Sequence, residues 1–233
     1  MEQITCIIPS YNEAPRIGNV LNAIKGHPSI REIVVVDDGS KDSTTEVVSR
    51  FKGVRLISFR RNKGKAAAMV RGAEAAKTEL IMFLDADLVG LTKKDITSLI
   101  TPVRQKKVEI TMSRRDHVGS CLSWMDLVTR LIRIGPLSGE RVMRKNLFLK
   151  MIRGKKKTGF GVETLVNEYI IKHRIPFAVV DWKRVKQNEK FVKRGFWKGI
   201  KMELVMCRQI LRAIPLHKLV VQFALLALRN NKF

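Results

Sequence analysis

Two carboxylates, Asp85 and Asp87, stand one residue apart in "IMFLDADLVG" (81–90), directly after four apolar positions. An ionised carboxylate at the mouth of a buried strand is costly unless a cation, a set of hydrogen-bond donors or water meets it. Other polar groups occupy comparable places. Ser10, Tyr11, Asn12 and Glu13 follow the apolar run "ITCIIPS" (4–10), and Asp37 and Asp38 close "EIVVVDD" (32–38). The patterns GxxxxGK[ST] and GxGxxG are both missing, which excludes a P-loop and a dinucleotide fingerprint.

The elements that must carry these residues alternate in type. Apolar runs at 4–10, 32–38, 54–59 and 80–87 read as strands buried on both faces. Helical segments lie between them. The first covers 13–25, with Ile17, Val20, Leu21 and Ile24 on one face; the second covers 43–51 with Asp42 as N-cap; the third covers 65–76. Strand and helix alternating every 25 residues or so imply a parallel sheet covered by helices, with ligands at the carboxyl ends of its strands. Beyond residue 90 the pattern predicts a helix at 92–106, a strand at 108–113 and a helix at 120–134. A turn and short strand at 136–146 lead into a helix at 146–152. A basic loop at 153–161, a helix at 162–173 and a strand at 176–182 follow.

Charge divides the chain. Residues 1–87 hold 13 basic and 11 acidic side chains and the remainder 32 and 10, so +22 of the net +24 falls after Asp87. An anionic partner is expected for the second half: nucleic acid, a membrane surface or a phosphorylated substrate. Aromatic residues are only 6% and no RNA-recognition or zinc-finger pattern occurs, which argues against nucleic acid. Cys6, Cys121 and Cys207 are scattered and odd in number, which fits a reducing compartment. The chain opens on "MEQITCIIPSYNE" without the basic and long apolar regions of a signal peptide, and its most apolar segment, 219–228, is half a membrane span. A cytoplasmic protein is expected.

The ordered set "IIPSYNE" (7–13), "VVVDDGSKDST" (34–44), "RRNKGKAAAMVRG" (60–72) and "FLDADL" (83–88) resembles the family 2 glycosyltransferases of the GT-A fold, including the polyprenol- and dolichyl-phosphate sugar transferases. The resemblance continues through "MSRRD" (112–116), "GPLSGERVMRKN" (135–146) and "TGFGVETLVNEYIIK" (158–172), covering roughly 4–185. It implies an α/β architecture, a Rossmann-like, mostly parallel sheet flanked by helices. Residues 1–90 would be the nucleotide-sugar half and 91–190 the acceptor half. Asp85 and Asp87 would form the DxD motif that holds Mg²⁺ or Mn²⁺ on the diphosphate of a UDP- or GDP-linked sugar, hard cations that prefer oxygen ligands. Asp87 would be the direct ligand, with Asp85 nearer the ribose and Ala86 part of the donor site.

By the same resemblance Tyr11 and Glu13 lie beside base and ribose on a turn shaped by Pro9, and Asp38 reads the base. Gly64 lets the backbone turn closely, and Lys65 meets phosphate. Arg114, or Arg115 in its place, approaches the acceptor phosphate. Glu163 stands where inverting relatives put an acid beside the acceptor, as a general base. For a phosphate acceptor, already ionised, it would only position. Lipid-phosphate mannosyltransferases carry a glutamine, a further metal-site residue, two places after the second aspartate; this chain has Val89 there, so the donor is left open.

The tail, 191–233, has a different character. Phe196, Ile200, Leu204, Cys207, Leu211 and Ile214 form one helical stripe, with Lys198, Lys201, Arg208 and Arg212 beside it, and Pro215 separates a second apolar helix. Such an amphipathic helix suits an anionic membrane interface, though docking onto the catalytic domain or oligomerisation would also bury it. The expected activity is metal-dependent, inverting sugar transfer to a polyprenyl phosphate at the membrane. A soluble sugar-phosphate or glycan acceptor is the alternative.

Overall fold

The computed structural model describes residues 2–115, 139–153 and 161–187. The nucleotide half is built from β1 (Ile4–Ser10), α1 (Ile17–Ile24), β2 (Ile30–Asp37), α2 (Thr44–Ser49), β3 (Val54–Ser58), α3 (Lys65–Ala75) and β4 (Leu80–Phe83). There follow β5 (Leu88–Val89), α4 (Lys93–Arg104), β6 (Ile110–Arg115), β7 (Arg141–Arg144), α5 (Lys145–Ile152), α6 (Gly161–Lys172), β8 (Phe177–Trp182) and β9 (Lys186–Gln187). Seven strands make one sheet in the order β3-β2-β1-β4-β7-β6-β8, and β5 pairs with β9 in a separate ribbon. The result is a mostly parallel, mixed sheet flanked by helices, the expected architecture.

Strand alternation divides the core into two layers. Cys6, Ile8, Val35 and Met82 pack with the apolar stripe of α1 and with Ile96, Leu99 and Val103 of α4. Ile7, Val34, Val36 and Phe83 face the other way, onto α3, α5 and α6. Helix α4 has a full capping box, in which Thr92 and Asp95 satisfy each other's backbone N–H groups.

The departure from a parallel sheet decides the site. β7 runs antiparallel to both β4 and β6, while β6 and β8 are parallel. Its amino end therefore reaches the edge where the other strands have their carboxyl ends. Gly139 and Arg141 come to Asp85 there, and Arg141 lies opposite both Phe83 and Met112.

Several boundaries differ from the sequence expectations. Residues 13–16 form turns, so α1 starts at Ile17. Ser43, not Asp42, is the N-cap of α2; Asp42 instead accepts hydrogen bonds from the backbone of Ala14 and Thr44, tying two loops together. β4 ends at Phe83, so the acid pair sits in the turn beyond the strand. β3 is an edge strand and only partly buried. β6 begins at Ile110, two residues late, because the turn after α4 carries Lys106 at positive φ. The helix expected at 120–134 and the tail from 191 lie outside the described residues.

Candidate active site

The site assembles at the carboxyl edge around Lys65, the first residue of α3. Its ammonium lies 2.8 Å from Asp85 Oδ1 and 2.8 Å from Glu163 Oε1. Burial acts to lower the Lys65 pKa, but the charges and hydrogen bonds of Asp85 and Glu163 outweigh it, and the net shift is upward. Three sequence-distant segments are thereby joined: the loop entering α3, the acid turn after β4, and the first turn of α6. Glu163 is only 4% exposed, and its Oε2 has no hydrogen-bond partner among the described residues. Asp87 is buried and Asp85 nearly so.

Two glycines make this packing possible. Gly64, with φ 92° and ψ 153°, caps α3 in a conformation that other residues avoid. A Cβ on Gly139 would lie 2.5 Å from Asp85 Oδ1 and 2.8 Å from Lys65 Nζ, so only a bare backbone fits over that pair.

Asp38 clasps the basic loop. Its Oδ1 accepts from the Lys63 N–H at 2.7 Å and its Oδ2 from the Gly64 N–H at 2.9 Å. Burial pushes its pKa up, partly countered by those two hydrogen bonds. A carboxylate has about four lone-pair sites, so an acceptor direction remains on each oxygen. Asp37 closes the neighbouring turn by accepting from the Ser40 N–H and hydroxyl. Pro9 and Tyr11 sit at the end of β1, half-buried. Glu13 starts the turn into α1: its carboxylate takes Arg16 Nε at 2.6 Å and its N–H donates to Thr44 Oγ1. Ala86 is buried between the two aspartates.

The two arginines of "SRR" separate. Arg115 is buried, and its guanidinium approaches Glu140 at 3.5 Å. Burial pulls its pKa down, and the negative field of Glu140, Asp85 and Asp87 more than reverses that. Arg114 projects from the opposite face of β6, as strand alternation requires, and forks onto Asp181 of β8 at 2.5 and 2.6 Å. The structure thus brings Arg115 to the acid cluster and leaves Arg114 at the sheet edge.

Sequence reading assigned no role to Glu140 and Arg141, which β7 places within the cluster. Glu140 is fully buried and accepts from Ser113 Oγ at 2.7 Å. Arg141 is 1% exposed. Burial draws its pKa down to about 10 despite the opposing fields of Glu163, Glu140 and Asp85. The signal was present as two adjacent charges directly before the apolar pair of β7, "ERVM" (140–143).

Among the described residues no group of three or more His, Cys, Asp or Glu side chains forms a metal cage, and no helix is long and apolar enough to cross a membrane. The chain is similar to dodecaprenyl-phosphate galacturonate synthase of Rhizobium johnstonii, 29% identical over 124 residues that make up 49% of this chain and 36% of the relative. It is also similar to the dolichyl-phosphate beta-glucosyltransferase ALG5C of Trichomonas vaginalis, 38% identical over 104 residues, 39% of this chain and 30% of that one. The chain therefore spans only about a third of the length of these curated relatives. Glucosyl-3-phosphoglycerate synthase from Mycobacterium tuberculosis, crystallised with Mn²⁺, UDP-glucose and phosphoglyceric acid, superimposes with a TM-score of 0.71 at 22% identity. The match covers 91% of this chain and 79% of that one, a likeness of fold. The model of glycosyl transferase family 2 matches residues 5–166. That is well over half of the chain, which accordingly belongs to glycosyl transferase family 2.

Proposed function

We propose that this chain transfers a sugar from a nucleoside-diphosphate donor to a phosphate-bearing, lipid-linked acceptor, from the cytoplasmic face of a membrane. Residues 1–190 are taken as the catalytic domain and 191–233 as a basic tail that lies on the bilayer. The observation that carries the reading is the meeting of Asp85, Asp87, Lys65 and Glu163 at the carboxyl edge of the sheet. The names of the two relatives, both polyprenyl- or dolichyl-phosphate sugar transferases, support the acceptor class.

The donor set fits a hard divalent ion. Such an ion takes one or two protein carboxylates and completes its shell with phosphate oxygens and water, so a pair of aspartates without a closed cage is the expected form. Asp87 would hold it, with Asp85 beside it restrained by Lys65. Three cations (Lys65, Arg115, Arg141) stand against four carboxylates (Asp85, Asp87, Glu140, Glu163). That leaves the cluster one positive charge short, which favours a cation at the acid pair before the anionic diphosphate is counted. When bound, Mg²⁺ or Mn²⁺ neutralises charge on the departing nucleoside diphosphate. The fold neighbour crystallised with Mn²⁺ and UDP-glucose supports a UDP-linked donor.

Asp38 would orient the base while holding the 63–64 backbone, and Pro9, Tyr11 and Glu13 would border base and ribose. Lys65 is positioned to follow the phosphates. An acceptor phosphate oxygen would attack the anomeric carbon as the bond to the diphosphate oxygen breaks, inverting the centre. Because a phosphate monoester is already ionised at neutral pH, no proton needs removing. Glu163, paired with Lys65, then positions groups, and its unpartnered Oε2 is the atom that would take a proton if the acceptor were a hydroxyl. Arg115, which lies in the field of Asp85 and Asp87, is the arginine of the pair offered to an acceptor phosphate, and Arg114 is left to the rim.

A soluble phosphorylated acceptor is the second reading, favoured by the fold neighbour's phosphoglyceric acid. Radiolabelled nucleotide-sugars offered with polyprenyl phosphate and with phosphoglycerate decide between them. Label extracted into the organic phase supports the lipid reading; label only on the soluble acceptor refutes it. Asp87→Asn should reduce either transfer by about 10²–10³-fold, the scale for losing one electrostatic contact to the transition state.

A further inference from the structure

We propose that the β5–β9 ribbon is a membrane-contact element, which seats the catalytic edge on anionic lipid headgroups; the inference rests on the lipid-acceptor reading above. The ribbon begins one residue after Asp87. Leu88 pairs with Gln187 and Val89 with Lys186, in antiparallel register. Its inner side is anchored: Leu88, Trp182 and Val185 are buried in the core, and Trp182 Nε1 donates to Ser98 Oγ at 3.3 Å. The Gly90 backbone presses on the carbonyl of Arg184, where a Cβ would stand 2.8 Å from that oxygen. The element is therefore held firmly against the domain.

Its outer side is unlike the rest of the described surface. Val89, 42% exposed, is the only exposed large hydrophobic residue among the described residues. Cross-strand partners share a face, so Lys186 lies beside it. Lys183 and Arg184 form the turn before β9, and all three cations are exposed. None of them enters an ion pair among the described residues, and the neighbouring acid, Asp181, is engaged by Arg114. A firmly held valine with Lys186 beside it and two more exposed cations on the adjoining turn is the complement of an anionic interface: headgroups meet the charges while the apolar tip enters the acyl boundary. Two residues of extended chain span about 7 Å. A ribbon resting at headgroup depth therefore brings the acid pair within reach of a lipid phosphate, without the lipid leaving the bilayer.

The test uses the full chain and co-sedimentation with phosphatidylcholine vesicles, with and without phosphatidylserine. The triple variant K183Q/R184Q/K186Q is compared with K25Q/K52Q/K77Q, which removes the same charge from exposed positions at the opposite edge of the sheet. Each cation at an anionic leaflet is worth about fivefold in partitioning, so the ribbon variant should bind anionic vesicles on the order of a hundredfold more weakly. The control should stay within about threefold. Val89→Asp alone should weaken binding as well, and nucleoside diphosphate affinity should be unchanged in both triple variants, showing an intact donor site. Equal losses in both triple variants would make the effect one of net charge and overturn the proposal. Unchanged binding in the ribbon variants would overturn it while leaving the lipid-acceptor reading standing. Failure of the wild type to bind anionic vesicles, with label still transferred to polyprenyl phosphate in detergent, would overturn the ribbon and the membrane docking but not the chemistry.

Discussion

Replacing Lys65 by methionine keeps an unbranched stem of similar bulk and deletes the ammonium with its charge. Two carboxylates that are 13% and 4% exposed then lose a cation that each meets at 2.8 Å. At an effective dielectric constant of 20, each contact is worth about 6 kcal/mol in Coulomb energy before desolvation is counted. Desolvating three charged groups offsets most of that, and the measured cost of breaking a buried pair is about 3–5 kcal/mol. Lys65 is partly exposed, which places the expectation at the lower end, about 3 kcal/mol. For a chain of this size that lowers the melting temperature by about 6–12 °C. A divalent ion should restore part of the loss, because it returns positive charge to the same acids. The assay is thermal unfolding of wild type and Lys65→Met, with EDTA or with Mn²⁺. A loss in EDTA of under about 1 kcal/mol would mean that Lys65 is not the counter-ion of this cluster. A Mn²⁺ stabilisation no larger in the variant than in the wild type would mean that metal and ammonium do not share the acids.

Gly139→Ala should cost transfer activity far more than fold, since its Cβ would displace Asp85 and Lys65 from contacts of 2.5–2.9 Å; near-normal kcat/KM would show that the pair can shift freely. Arg115→Ala should reduce kcat/KM by at least tenfold, and Arg114→Ala, which breaks the fork to Asp181 on the other face of the strand, should stay within about threefold. Equal effects would undo the assignment by strand face. His27 predicts a pH dependence of stability. It is buried, its Nδ1 accepts from the Ser29 N–H, and its Nε2 meets Thr97 Oγ1 at 3.1 Å. Burial, and then the charges of Lys93 and Arg104, lower its pKa, although its backbone contact with Lys93 acts the other way. Below about pH 6.5 the unfolded chain therefore takes up a proton that the folded chain refuses. Stability is full above that value and falls toward lower pH by up to about 1.4 kcal/mol per unit. Urea unfolding of wild type and His27→Gln from pH 5 to 8 checks this, and identical slopes would exclude His27 as the source.

The sequence by itself determined the nucleotide half. Its motifs lie on consecutive strand–loop–helix units, and a parallel sheet sends the carboxyl end of every strand to one edge, so local reading of β1, β2 and the acid turn after β4 sufficed to gather them. The amphipathic period of α1 and the apolar runs of the central strands are likewise local properties of the chain. What the sequence could not decide were choices of phase, direction and partner. Starting β6 at Ile110 turns Arg115 inward and Arg114 outward, and a strand's two faces differ only by where it begins. Reversing β7 carries Glu140 and Arg141 to the acids, and no local signal distinguishes a parallel from an antiparallel short strand. The clasp of Asp38 on the Lys63–Gly64 backbone and the bridge from Lys65 to Glu163 join residues far apart in the chain. Charges find such partners only when the packed sheet excludes water and leaves them no other.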